Sequence, residues 1–458
     1  MRRVFVALFG VILSLWAVQW DIEEIPNLSG KHRLFPILTL DNQGYPCILF
    51  NEEHSSLNLA CNASGEWIVT EVAQGFINDF YSLDIDSAGN IFLAYECVMG
   101  EQDPDIFFAC DTGGEFVPVN LTNDPGMQTV PIIRLDNEDN PYLLYINVPV
   151  DEGELFFGHI DSEGLHAEQI VDNLWPWFYW GYDFCFDADN IPHVLYAGDN
   201  EYHLWHAFSD QSHMEWTKEE IHSHDSGWPM VVEDAAGALH VAYEDLLGGR
   251  GRIHYLTNHS GAWSDELVSD NAPPAGGNER PSIALDPQGN PHMGFICVDD
   301  DWTKDMHYAC KSADAWVEEA VTSVPERLEW PGWEHYFAID DQGYGHLVYH
   351  AEDEDTVWQV YYAKSKAPLA VVESPVEAKP FDLEVRGSAV HFSLPEASLI
   401  RLDLYDAAGR RVERLASGNY EAGDHSIPIN SAELPTGVYF VRAEINGQSA
   451  SVKFVFTL

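Results

Sequence analysis

Seven times along the chain an aspartate opens the same turn: Asp41, Asp86, Asp136, Asp187, Asp234, Asp286 and Asp340. Three residues later stand Gly44, Gly89, Asp139, Asn190, Gly237, Gly289 and Gly343, the residue types that tolerate a left-handed backbone. Nine residues after each aspartate comes an aromatic: Phe50, Tyr95, Tyr145, Tyr196, Tyr243, Phe295 and Tyr349. The aspartates are 45, 50, 51, 47, 52 and 54 positions apart. A period near fifty built from strand-like units restricts the chain to a propeller or a solenoid.

Each repeat reads as four short strands. In the sixth they are 281–286, 290–298, 305–312 and 315–323, and the last opens with Trp316. Trp67, Trp216 and Trp263 open the matching strands of other repeats. Four antiparallel strands, repeated, make the blade of a β-propeller. The seventh repeat stops one strand short. The segment WDIEEI at residues 20–25 carries the missing pattern, so an N-terminal strand is expected to complete the last blade and remove the exposed edges. The expected fold is all-β: a seven-bladed β-propeller over residues 18–366, closed by that strand. A Pro- and Ala-rich linker follows at 367–380, then a small immunoglobulin-like β-sandwich at 381–458.

Residues 1–17 combine two arginines with an apolar run and read as a signal peptide, cut after Ala17. No other stretch approaches a transmembrane helix. With 22 basic against 75 acidic residues, the net charge of −53 argues against nucleic acid or anionic lipid as partners. Export permits disulfides. Cys97 with Cys110, and Cys297 with Cys310, are each 13 residues apart on adjacent strands and are expected to be bonded. Cys47 stands five places earlier in its repeat than Cys97, which argues against a Cys47–Cys61 bond; Cys185 has no evident mate.

Residues 404–415 (LYDAAGRRVERL), 423–430 (GDHSIPIN), 434–444 (LPTGVYFVRAE) and 452–458 (VKFVFTL) resemble the type A sorting domain of the type IX (Por) secretion system of Gram-negative bacteria. The resemblance implies engagement of that machinery and delivery to the cell surface or the medium. PSIALDPQGNPHMGF (281–295) and MHYACKSADAW (306–316) resemble secreted propeller repeats grouped with the sialidase-like (BNR) propellers, without a true Asp-box. Sialidases need three arginines for the substrate carboxylate. The propeller's Arg33, Arg134, Arg250, Arg252, Arg280 and Arg327 show no such grouping in sequence.

The repeated aspartates invite a calcium reading, best at Asp136–Asp139, but hairpin turns need the same residues and the loops lack further carboxylates. No cofactor is expected. His193, His240, His292 and His346 recur six places after the aspartate, in different blades, and suit hydrogen bonds within each blade better than a shared metal. Function is expected where the repeats disagree. Trp175, Trp177, Tyr179, Trp180, Trp228, Trp330 and Trp333, with Arg280, are candidate ligand-binding residues. Acidic loops stand at Asp151, Glu152 and Glu154, at Asp299–Asp301, and at Glu352–Asp355, and would face the same ligand if both sets of loops share one face. Aromatic platforms beside carboxylates suit glycans or cationic groups. Catalytic candidates are Glu334 with His335 and Tyr336, or Asp183 with Glu279 and Arg280. The reading is a monomeric, exported propeller that binds a glycan. The alternatives are a carbohydrate-active hydrolase or lyase and a structural adhesion component.

Overall fold

The computed structural model describes residues 18–369 and 383–456, apart from 28, 101–102, 113, 124–125, 150–152, 175–180, 199–201, 210–214, 247–250, 271–276, 299–302, 313–314, 325–326, 354–355, 387–388, 395–397, 407–410, 430–436 and 446–447. The expected signal peptide, Trp175, Trp177, Tyr179, Trp180 and most of the acidic loops lie outside the described residues. The described residues are all strand, turn or irregular, so among them no helix is long and apolar enough to cross a membrane.

The chain divides into two compact units, residues 1–371 and 372–458. In the first, six successive four-stranded antiparallel sheets lie within 33–74, 76–120, 127–174, 182–222, 226–269 and 277–320. The sixth is Gly277–Leu285, Pro291–Val298, Lys304–Ser312 and Ala315–Ala320, so its first strand begins earlier than the repeat suggests. The seventh sheet pairs Glu329–Trp330 and Phe337–Ile339 with Gly345–Glu352, then Trp358–Ser365, and is completed by Trp20–Glu24. That closing strand runs antiparallel to its neighbour, with Trp20 opposite Ser365 and Glu24 opposite Tyr361. The first strand of each sheet contacts that of the next, and the seventh sheet returns to Arg33–Leu40. This is the arrangement of propeller blades. The first unit also runs past the expected boundary at 366. Leu369 is buried and its N–H donates to the Gly343 carbonyl at 2.6 Å.

The repeat's turn chemistry is now visible. In all seven turns one oxygen of the aspartate accepts the N–H groups two and four residues on, at 2.7–2.9 Å. The third residue after it has φ between 62° and 87° in every case. A side chain with a Cβ tolerates that region poorly, hence glycine, asparagine or aspartate. The Asp136 and Asp139 carboxylates, the calcium candidates, are occupied by hydrogen bonds: Asp136 by its own turn and by Asn140, Asp139 by Ser87 of the preceding sheet. The aromatic nine residues on is buried in all seven repeats.

The recurring histidines bond within their own sheets. His240, His292 and His346 each lie 2.6 Å from a tyrosine hydroxyl (Tyr255, Tyr308, Tyr362) through Nδ1 and face the turn aspartate through Nε2. A carboxylate can only accept, so Nε2 carries the proton and Nδ1 accepts from the tyrosine. Burial holds His346 down to about 4, keeping it neutral.

The outer strands are latched from sheet to sheet. The indole N–H of Trp67 donates to Glu23, that of Trp216 to Glu168, that of Trp263 to Glu219 and that of Trp316 to Glu266, each glutamate on the outer strand of the preceding sheet, at 2.8–3.2 Å. The same rings sit edge-on against Tyr362, Phe157, His206 and Tyr255 of that sheet.

The disulfide expectation is corrected. Cys47 and Cys61 are bonded, and Cys97, Cys110, Cys297 and Cys310 form no disulfide. In an antiparallel hairpin, residues near the turn face residues near the turn. Cys97 lies opposite Asp105 while Cys110 lies opposite Phe92, five positions away, about 17 Å along the strand. Cys297 and Cys310 are displaced in the same way, facing Asp305 and His292. Cys47 occupies the place of Phe92 and His292, directly opposite Cys61, with Cα atoms 4.3 Å apart.

In the second unit, Leu383–Arg386, Ala389–Leu394 and Gly423–Pro428 form one sheet. Arg411–Tyr420, Ser398–Asp406, Gly437–Ile445 and Gln448–Phe456 form another, and Val390, Phe392, Leu402 and Val441 of the two share one core.

Removing residues 20–28 strips the last sheet of its outer strand. Such a chain is expected to lose its cooperative thermal transition by calorimetry; a truncated chain melting at the full-length temperature would refute closure by this strand.

Candidate functional site

The sequence positions the site through a bulge. Six residues before the turn aspartates stand Phe35, Val130, Trp228 and Arg280, each followed by proline, and each has φ of 52° or 53°. Strand pairing skips these dipeptides, with register shifts at Leu34/Ile37, Thr129/Ile132, Gly227/Met230 and Glu279/Ser282. Proline has no N–H to pair, so a bulge is its natural place in a strand. A left-handed non-glycine backbone costs about 1–3 kcal/mol, and four are held here by the same device.

Trp333 brings these positions together. Its ring lies 5.6 Å from Phe35, 5.4 Å from Phe80 and 5.3 Å from Trp228, so it reaches the first, second and fifth sheets from the seventh. The loop approaches closely because residue 332 is glycine: a Cβ there would sit 2.5 Å from the Pro36 carbonyl oxygen. The Arg280 guanidinium lies 3.9 Å from the Trp333 ring centre, 4.9 Å from Trp330 and 5.0 Å from Trp228. Lys304 sits 3.3 Å from the Trp330 ring centre and pairs with Glu279 at 2.7 Å. Burial lowers Arg280 to about 10. Burial, with the charge of Glu279, raises Glu244 to about 8, and the Glu244 carboxylate accepts the Arg280 N–H. Arg280 Nη1 and Trp333 Nε1 are buried atoms without a hydrogen-bond partner.

Beside this aromatic cluster lies a charged one, lining a cavity of about 440 Å³. The Arg134 guanidinium pairs with Glu334 and, at 3.0 Å, with Asp183. His335 Nε2 lies 2.9 Å from the other oxygen of Asp183, which also accepts the Val231 N–H. Ser82 donates to Glu334 at 2.9 Å, and Asp84 accepts the Leu135 N–H at 2.8 Å. Burial works against the charge of Asp183, but His335 and Arg134 outweigh it and hold the carboxyl below its ordinary value. Burial wins at Glu334 and Asp84, whose pKa values are raised despite Arg134. Glu334 Oε2 is buried with no hydrogen-bond partner.

Of the predicted binding residues, Trp228, Trp330, Trp333 and Arg280 come together. Of the catalytic candidates, Glu334, His335 and Asp183 share one network, while Glu279 and Arg280 belong to the aromatic cluster. Tyr336 joins neither as a reactive group: its hydroxyl donates to the Arg280 and Gly294 carbonyls, and burial raises its pKa far above the ordinary value. Among the acidic loop residues, Asp353 is occupied by the N–H of Val357 and by Gln359. Sequence reading missed Phe35, Phe80, Ser82, Asp84, Glu244 and Lys304, and left Arg134 unassigned. Two signals were present: the recurring X-Pro bulge, and polar residues two or four places before the turn aspartate, where other repeats carry Ile37, Ile132 or Val232.

Arg134 is the cation paired with the buried carboxylates of Glu334 and Asp183, and its charge also acts on Asp84. Arg134→Met is expected to cost about 3–5 kcal/mol, as for breaking a buried ion pair. The orphaned acids then have folded pKa values above their unfolded ones, so the variant should be least impaired in acid and lose stability as pH rises through those values. Urea denaturation between pH 4.5 and 8 measures both.

Residues 387–457 match the secretion system C-terminal sorting domain. No curated protein matches the chain. Among solved structures, it is similar to a protein of unknown function from Dyadobacter fermentans (8% identity, TM-score 0.45, covering 75% of this chain and 97% of that one). It is also similar to a polysaccharide lyase (10%, 0.46, 72% and 90%) and to a mutant Aleuria aurantia lectin with alpha-methyl-L-fucoside (11%, 0.44, 66% and 99%). The matched segment is a type IX sorting domain, and the chain is exported by that system to the cell surface or the extracellular space.

Proposed function

We propose that the first unit is a closed seven-bladed propeller that binds glycans at its aromatic cluster, presented outside the cell through an immunoglobulin-like sorting sandwich. The observation carrying this reading is the guanidinium of Arg280 set among three half-buried tryptophans, with Arg280 Nη1 and Trp333 Nε1 lacking partners. A sugar ring offers what these groups lack. Its hydroxyl oxygens accept from Arg and Trp N–H groups, its C–H face packs on an indole, and its hydroxyls donate to a carboxylate such as Glu279.

A second reading, hydrolysis or elimination on a polysaccharide, is favoured by one observation. Glu334 lines the cavity, has a raised pKa and one unpartnered oxygen, and stands beside His335 and Asp183. These are the ingredients of a proton donor.

Glycan-array screening of the propeller should find ligands. Trp330→Ala should weaken their binding about tenfold, the worth of one stacking contact of about 1.4 kcal/mol, in a chain that melts lower but is still folded at the assay temperature. Binding that survives both Trp330→Ala and Trp333→Phe undiminished would remove the aromatic cluster as the site. Release of reducing ends or unsaturated uronates from a bound glycan, lost in Glu334→Gln, would establish the second reading.

A further inference from the structure

The latch between the sixth and seventh sheets differs from the other four. Glu23, Glu219 and Glu266 stand three residues after the outer-strand tryptophans Trp20, Trp216 and Trp263, and each accepts the next sheet's indole N–H. The residue three after Trp316 is Glu319, and the tryptophan it should hold is Trp20. Trp20 is in place, edge-on to Tyr308 of the sixth sheet at 5.8 Å, as its counterparts are. Yet Trp20 Nε1 is buried without a partner. Both oxygens of Glu319 face the backbone nitrogen of Val18 instead, at 2.8 and 2.9 Å. A peptide nitrogen has one N–H and can serve one oxygen well. Equal approach to both oxygens of a half-buried carboxylate is the geometry of an ammonium group, which has three. Val18 follows Ala17, after which the sequence predicts the leader is cut.

We propose that Ala17–Val18 is the processing site and that the α-ammonium freed on Val18 forms an ion pair with Glu319, so that maturation locks the strand that closes the ring. Until then the nitrogen is an uncharged amide and the latch is incomplete. Mass spectrometry of the chain recovered outside the cell should give Val18 as its first residue. The chain beginning at Val18 should melt about 1–2 °C above one retaining Ala17, the shift of roughly 1 kcal/mol in a chain of this length. Glu319→Gln should abolish that gap, lowering the Val18 chain and leaving the Ala17 chain unchanged. Acetylating the Val18 amine should reproduce the loss, and serves if Glu319→Gln folds poorly. An exported chain with another first residue, or a gap that persists without the carboxylate or the charged amine, overturns the proposal.

An independent observation supports a second site. His159 and His166 face each other across the outer hairpin of the third sheet, rings 4.8 Å apart, and Asp161, two residues from His159, shares their face. One ligand atom from each lies within 4.8 Å of the others. His166 Nε2 lies 3.1 Å from one oxygen of Asp161 and His159 Nε2 3.9 Å from the other, close to the roughly 3.4 Å between ligands of tetrahedral zinc. We infer that this hairpin binds Zn²⁺, or another divalent ion favouring imidazole, with solvent completing the shell. Titrating the full chain with Zn²⁺ against a chromophoric chelator should show one equivalent lost in His159→Ala and in His166→Ala, with melting of the apoprotein unchanged. Equal stoichiometry and affinity in both variants and the parent overturn it.

Discussion

A ring of sheets has no natural end, and covering its last edge is the constraint from which this structure follows. Each blade buries its faces against two neighbours, so a blade lacking its outer strand exposes both a sheet edge and apolar surface. Here the chain meets the requirement by joining its N-terminal segment to its last repeat, Trp20–Glu24 against Trp358–Ser365. The contact spans more than three hundred residues, so no local segment forms it alone. The four tryptophan–glutamate latches distribute the same task around the rim: each of their indoles is fixed by an edge-on ring contact and by one carboxylate of the preceding sheet.

Closure also decides where charge can sit. The innermost strands converge, and polar residues placed there lose water. Ser82, Arg134, Asp183 and Glu334 come from four different sheets and bond to one another around a single guanidinium, with Asp84 held beside them by backbone N–H groups. The cost of burying a lone charge makes that network nearly complete. At the neighbouring tryptophan cluster the pairing stops short, leaving donors on Arg280 and Trp333 unmatched.

Much of the fold was legible because its signals are local. The turn aspartate, its left-handed partner three residues on and the buried aromatic nine residues on act within a ten-residue window, and all seven follow the rule. The spare WDIEEI segment was recognisable because it repeats a motif that the last repeat lacks. The cysteines were misread for an equally physical reason. A separation of 13 residues says nothing until the hairpin's pairing is known, and the register that places Cys61 opposite Cys47 carries Cys110 five positions from Cys97. The candidate site was half legible: its tryptophans and Arg280 stood out as departures from the repeat, whereas Arg134 looked like any isolated arginine.

The sequence by itself determined the repeat, the strand order within each blade, the segment that closes the ring and the sorting domain that exports the chain. Each is written in short-range patterns whose chemistry needs only near neighbours. The tertiary structure alone decided which cysteines bond, which carboxylates share Arg134 and which indoles surround Arg280. Those partners lie up to two hundred residues apart, and only the closed ring brings their strands to one axis.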